Sequence, residues 1–130
     1  MIAVILASGR LERLYTGLSL LVSAAAEGRP AHGLATFAAL PVLLDEQIVA
    51  RALRAEETPD LTEPGRAIFA RTLGELLATA AELEECRLWA CAAAVETTGV
   101  PAAAVAERFD GVLSTPRFLR EVAGAQLVAL

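Results

Sequence analysis

The chain has 130 residues, of which 55% are hydrophobic and 21% are charged. This length and composition predict one folded domain over residues 1–130 and argue against disorder. The net charge of −5 disfavours a nucleic-acid partner, and no run reaches the ~20 apolar residues of a membrane span. Two cysteines are too few for a disulfide framework, and the N-terminus lacks a basic leader, so we expect a cytoplasmic protein with reduced thiols.

Hydrophobic patterning in the first half of the chain predicts two strands, each followed by a helix. Residues 2–7 form a short, continuously apolar run, as in a central parallel strand. Residues 12–27 repeat leucines at helical spacing. A second strand is predicted over residues 34–37 and a second helix over residues 40–54. His32, the only histidine, would then lie before the second strand.

The second half of the chain alternates helices and strands after a polar interruption. Residues 55–65 hold four acidic residues and two prolines, which predicts an exposed loop. The predicted elements that follow are a helix over 66–85, a strand from Cys86 that runs into a helix ending at Gly99, a helix over 101–108, a strand over 111–114, a helix over 115–122 and a strand over 126–130. This alternation predicts a single three-layer α/β domain, with about five mostly parallel strands and helices on both faces.

Cys91 is the residue best placed for chemistry. It falls where a strand meets a helix, at the carboxyl ends of the parallel strands, where ligands bind in such folds. A helix N-terminus at that point favours the thiolate over the thiol. Arg10 and Arg13 follow the first strand, and their side chains would reach the same edge to lower the thiol pKa or hold an anionic substrate. Cys86 starts its strand at the opposite end, and we expect it to be structural.

The residues alone leave several alternatives open. A free cysteine is often only a small buried hydrophobe, and surface arginines often form only weak ion pairs. The loop at 55–65 is either a solvated segment or a lid over Cys91. The single glycine of Ser8-Gly9 matches neither common phosphate-binding pattern, so nucleotide binding is a minor hypothesis. His32 lies away from the Cys91 edge, which argues against a Cys-His pair, and the ligand count argues against zinc.

The segment around Cys91 resembles the cysteine motif of the DsrE family of small sulfur-relay proteins. Ala90 and Cys91 end a strand, Glu96 occupies the acidic position of the motif, and Gly99 lies eight residues after the cysteine. Ala94 stands where many members carry serine, which is a departure from the pattern. The resemblance implies a DsrE-like, flavodoxin-like topology and a homo-oligomer, trimeric or hexameric. It implies no organic cofactor.

The same resemblance implies a function in sulfur relay. Cys91 would carry a persulfide from a sulfur-donor protein to a sulfur-acceptor protein, with Glu96 as a proton relay for the thiol. Glu96 would otherwise be an exposed helix carboxylate, and a nearby anion raises a thiol pKa rather than lowering it. The chain would be a sulfurtransferase or a sulfur carrier. The alternative is a non-catalytic oligomeric binding or scaffold protein on the same fold, with an inert Cys91.

Overall fold

Five strands and seven helices make up the computed structural model, which describes all 130 residues. The elements in chain order are β1 Ile2–Leu6, α1 Leu11–Ala26, β2 Ala31–Ala35, α2 Ala39–Leu43, α3 Ile48–Ala52, α4 Glu63–Glu82, β3 Cys86–Cys91, α5 Ala92–Thr98, α6 Ala102–Arg108, β4 Gly111–Leu113, α7 Thr115–Glu121 and β5 Gln126–Ala129. None of these helices combines the length and the apolar character that crossing a bilayer requires.

The five strands form one parallel sheet in the order β4-β3-β2-β1-β5. The predicted fold class, a three-layer α/β domain with a parallel five-stranded sheet, is confirmed. The flavodoxin-like strand order is wrong, because that order is 2-1-3-4-5. Here β2, β3 and β4 each lie beside the strand that precedes them in the chain, and β5 returns to pair with β1.

The direction of these crossovers distributes the helices unequally between the two faces of the sheet. The steps from β1 to β4 all run the same way, so right-handed connections place α1 to α6 on one face. Contacts of α1 with α4, of α3 with α4 and of α2 with α5 agree with this arrangement. The connection from β4 back to β5 runs the opposite way, which places α7 alone on the other face. We call that side of the sheet the α7 face.

The α7 face is only partly covered. Strands β4 and β5 lie at opposite edges, four strand spacings or about 19 Å apart. Helix α7 has seven residues and is therefore about 10 Å long. Phe118 of α7 is fully buried against the sheet, but Leu119 of the same helix and Leu127 of β5 are each about half exposed. Part of the apolar surface on this face therefore stays open to solvent in the single chain.

Strand β2 starts earlier than predicted and includes His32, which corrects the placement of that residue before the strand. Its small residues gave no strand pattern, but pairing with β1 and β3 holds the segment in the sheet. Gly33 is required by close packing under α1. A Cβ atom at Gly33 would lie 2.8 Å from a Leu21 methyl and 2.9 Å from a Leu88 methyl.

The helix predicted over residues 40–54 is two short helices, α2 and α3. Asp45 lies between them, and its Oδ1 accepts a hydrogen bond from the backbone N–H of Gln47 at 2.8 Å. The same carboxylate pairs with Arg51 at 3.1 Å. A side chain that bonds to the backbone in this way competes with helical hydrogen bonding, which explains the interruption.

The predicted exposed loop is largely confirmed, since residues 55–62 form turns and most of the segment is exposed, but Thr58 anchors it to the protein. Thr58 is fully buried, and its Oγ1 accepts a hydrogen bond from Arg66 Nε at 2.9 Å. Arg66 also donates to the Leu61 carbonyl at 2.8 Å. Helix α4 already begins within this segment because Thr62 caps it, accepting from the N–H of Gly65. The segment is therefore bonded to α4.

Candidate functional site

Cys91 ends β3 at the carboxyl edge of the sheet, as the sequence predicts. It is the last residue of the strand and also the N-cap of α5, with extended backbone angles. Its register partner on the neighbouring strand is Leu113, the last residue of β4. Because side chains alternate along a strand, Cys91 points to the same face as Trp89, which is the α7 face.

The thiol of Cys91 is covered in the single chain. Only 3% of the residue is exposed, and its side chain makes no capping hydrogen bond to the amides of α5. The two cavities of the molecule lie elsewhere. One, of about 310 Å³, lies between α4, α6 and the residues after α2, and the other, of about 390 Å³, lies around α3. Neither cavity includes Cys91, so a reagent reaches this thiol only after a local movement.

The remaining residues of the predicted motif lie along α5. Gly99 ends the helix in the left-handed conformation, with φ of 71°, which explains the glycine at this position. Ala94 is fully buried, so the position at which a serine was expected faces the core. Glu96 is exposed and lies five residues beyond the buried Cys91. The Glu96 carboxylate is thus on the solvent-exposed side of α5, whereas the thiol is covered.

Arg10 and Arg13 lie at the same edge of the sheet but two strands away from Cys91, since β2 separates β1 from β3. Two strand spacings correspond to roughly 10 Å. The Arg10 side chain pairs with Glu12 at 3.2 Å and is 62% exposed. Glu12 presents its other carboxylate oxygen, Oε1, as a buried atom with no partner. Arg13 is exposed. The two arginines therefore lie at the carboxyl edge of the sheet but do not neighbour the thiol of Cys91.

The loop after β2 lies between the arginines and Cys91, and it contains a feature that the sequence did not indicate. Phe37 is the only non-glycine residue with a positive φ, 25°, and its side chain is 51% exposed. Gly9 packs against the same loop, because a Cβ there would lie 2.9 Å from the Ala38 carbonyl oxygen. Strained backbone and an exposed aromatic ring often accompany function. A phenylalanine carries no sequence signal for either property.

Cys86 has the structural character that the sequence predicts. It begins β3 at the amino edge and is buried on the side of the sheet that faces α1. Burial, with a smaller contribution from the Asp110 carboxylate, raises the pKa of its thiol to about 11. Cys86 and Cys91 are both free. They lie at opposite ends of one strand and on opposite faces, so they cannot form a disulfide with each other within the chain.

The site therefore consists of one buried cysteine at a strand end, two exposed arginines at the start of α1 and a strained phenylalanine in the loop after β2. No cluster of histidine, cysteine or acidic side chains suited to a metal ion is present. The chain matches no protein-family model and no curated protein.

Proposed function

We propose that the chain is a DsrE-like sulfur-handling protein in which Cys91 carries a persulfide. The observation that supports this most directly is the position of Cys91, at the carboxyl end of a parallel strand and at the first turn of a helix that Gly99 closes eight residues later. Ligands of open parallel α/β sheets bind at this edge. No other thiol lies there, because Cys86 is at the amino edge with its pKa raised to about 11.

The proposed reaction is exchange at sulfur without net oxidation. The Cys91 thiolate attacks the outer sulfur of a donor persulfide, R–S–SH, so that a new S–S bond forms at Cys91 Sγ. The S–S bond of the donor breaks, and R–S⁻ leaves with the bonding electron pair and takes up a proton. A thiolate of the acceptor then attacks the outer sulfur held by Cys91, and the Cys91 thiolate is released.

The other predicted residues contribute to this proposal from a distance. Arg10 and Arg13 are exposed cations at the same edge, available to an anionic donor or to an acidic surface of a partner protein. Glu96 is exposed on α5, five residues beyond Cys91, and takes no part in the covalent step. Cys91 is the only residue that the proposal assigns to the covalent step, and the 3% exposure requires a local opening before the donor reaches it.

The test is the intact mass of the protein after incubation with a polysulfide donor. We expect wild-type protein to gain one sulfur atom, and Cys91→Ser to gain none. Cys86→Ala is the matched control and should be modified like wild type, because its remaining cysteine is Cys91. Wild-type protein that stays unmodified, under conditions in which the donor converts glutathione to its persulfide, would contradict the proposal.

The same proposal includes a homo-oligomer, trimeric or hexameric. The partly open α7 face supports it, because Leu119 and Leu127 expose apolar surface that a second copy would bury. Light scattering of the purified protein over a range of concentrations tests this part separately. A mass equal to one chain at every concentration would contradict the oligomer but not the chemistry.

The second candidate is an oligomeric binding or scaffold protein with an inert Cys91. The specific observation in its favour is the burial of that thiol, since a buried cysteine outside any cavity behaves as a small hydrophobe. The mass experiment separates the two candidates. A scaffold protein gives no sulfur adduct unless it is unfolded, whereas a sulfur carrier gives one in its native state.

A further inference from the structure

The only tryptophan and the only histidine of the chain are joined by a hydrogen bond on the α7 face. The indole N–H of Trp89 donates to Nδ1 of His32 at 3.0 Å. The two rings are nearly parallel, at 12°, with centroids 6.3 Å apart. Since the bond joins their edges, that separation places the rings side by side in nearly one plane rather than face to face. Trp89 is half-buried and packs against the hydrophobic core.

This hydrogen bond exists for only one protonation state of the histidine. An indole N–H can only donate, so Nδ1 must present a lone pair. The imidazole is then neutral, with its proton on Nε2. Protonation at Nδ1 places two N–H groups against each other, which breaks the bond and leaves the indole donor of Trp89 without its partner. Protonation therefore costs the free energy of this hydrogen bond, so the pair resists protonation.

Some of the charged groups around His32 raise its pKa and others lower it. Burial lowers the pKa of His32, and this is the largest effect. Among the charged neighbours, Glu121 at the end of α7 raises the pKa most, and Arg87 on β3 lowers it. Asp110 before β4 and Glu85 before β3 raise it to a smaller extent. On β1, the register partner of His32 is the uncharged Ala3.

We propose that the bond between His32 and Trp89 is a pH-sensitive latch, which holds the indole against β2 at neutral pH and releases it on acidification. The charged imidazole would then turn to Glu121, the acidic residue of the one helix that covers this face. Trp89 lies on the same face of β3 as Cys91, two residues before it. Acidification would therefore free the indole of Trp89 on the partly open α7 face. This effect does not depend on sulfur chemistry.

The direction of the effect on stability follows from the lowered pKa. As the pH falls below 6.5, the ordinary value for histidine, the unfolded chain takes up a proton before the folded chain does. The contribution of His32 to the free energy of unfolding is therefore largest above that pH and declines as the pH falls through the lower, folded-state pKa.

Two spectroscopic probes of the full-length protein test the latch, because each reports on one residue. NMR titration of the single imidazole gives the pKa of His32, and fluorescence follows the single indole. We expect both to change with the same midpoint, below 6.5. His32→Asn keeps an acceptor for the indole but does not titrate, and the fluorescence transition should disappear. Fluorescence that stays constant while His32 titrates in wild-type protein would overturn the proposal.

Two further variants separate the latch from simple burial. Trp89→Phe removes the donor, so the pKa of His32 should rise towards 6.5. Glu121→Gln removes an attractive charge at an exposed position, so the NMR and fluorescence midpoints should fall together. Should Trp89→Phe fail to fold, Glu121→Gln decides alone. A His32 pKa that does not change in either folded variant would overturn the proposal.

Discussion

Thr58→Val tests the anchoring of residues 55–65 most directly. Valine keeps the shape of the buried side chain but removes the hydroxyl that accepts from Arg66 Nε at 2.9 Å. A hydrogen bond to a charged group contributes about 1.5–3 kcal/mol. Arg66 keeps its bond to the Leu61 carbonyl at 2.8 Å, so we expect a loss of about 2 kcal/mol in the free energy of unfolding.

Urea unfolding followed by circular dichroism measures this loss. The free energy of unfolding of a small protein falls by about 1–3 kcal/mol per molar urea. The urea midpoint of Thr58→Val should therefore be lower than that of wild type by about 1 M. Thr58→Ser is the matched control, since it keeps the hydroxyl and loses one methyl group, which costs about 1 kcal/mol. The reasoning is refuted if the valine variant unfolds at the wild-type midpoint, or if the serine variant loses more stability than the valine variant.

Two other predictions concern the backbone strain at Phe37 and the charge of Asp45. At most positions alanine stabilises a protein more than glycine does. Because φ of Phe37 is 25°, we expect urea unfolding to show Phe37→Gly to be more stable than Phe37→Ala by about 1 kcal/mol. An alanine variant that is the more stable of the two would contradict the backbone strain. The hydrogen bond from the backbone N–H of Gln47 and the contact with Arg51 hold the pKa of Asp45 below 3.8. Its stabilisation is therefore complete above pH 3.8 and declines as the pH falls through the folded-state value. Asp45→Asn should lose less stability over that acid range than wild type, and equal losses would contradict the assignment.

The parts of the fold that were predictable have strong local patterns. The apolar run of β1 and the leucine spacing of α1 predict their elements because one chain segment alone determines which face is buried. The start of β2 could not be found in this way. Ala31, His32 and Gly33 form a strand because β1 and β3 pair with them from both sides, which is a property of the sheet and not of the segment.

In the candidate site, too, local sequence predicts some features, whereas contacts between separate segments determine others. A strand that ends at Cys91, and a helix that ends at Gly99, follow from local sequence. The burial of the thiol does not, because a cysteine carries no sequence signal for whether other segments cover it. The φ of Phe37 and the burial of Thr58 are likewise set by contacts between separate segments, for which neither residue type gives a signal.

The central claim is that Cys91 reacts from the native state, and the labelling rates of the two cysteines at low urea concentrations test it most directly. Cys86 is the internal reference, because a buried thiol with a pKa of about 11 should react only when the whole chain unfolds. With a thiol reagent at pH 8 and peptide mass analysis, we expect Cys91 to be labelled faster than Cys86, at a rate that changes little with urea. Equal rates for the two cysteines, rising together with urea, would contradict the claim.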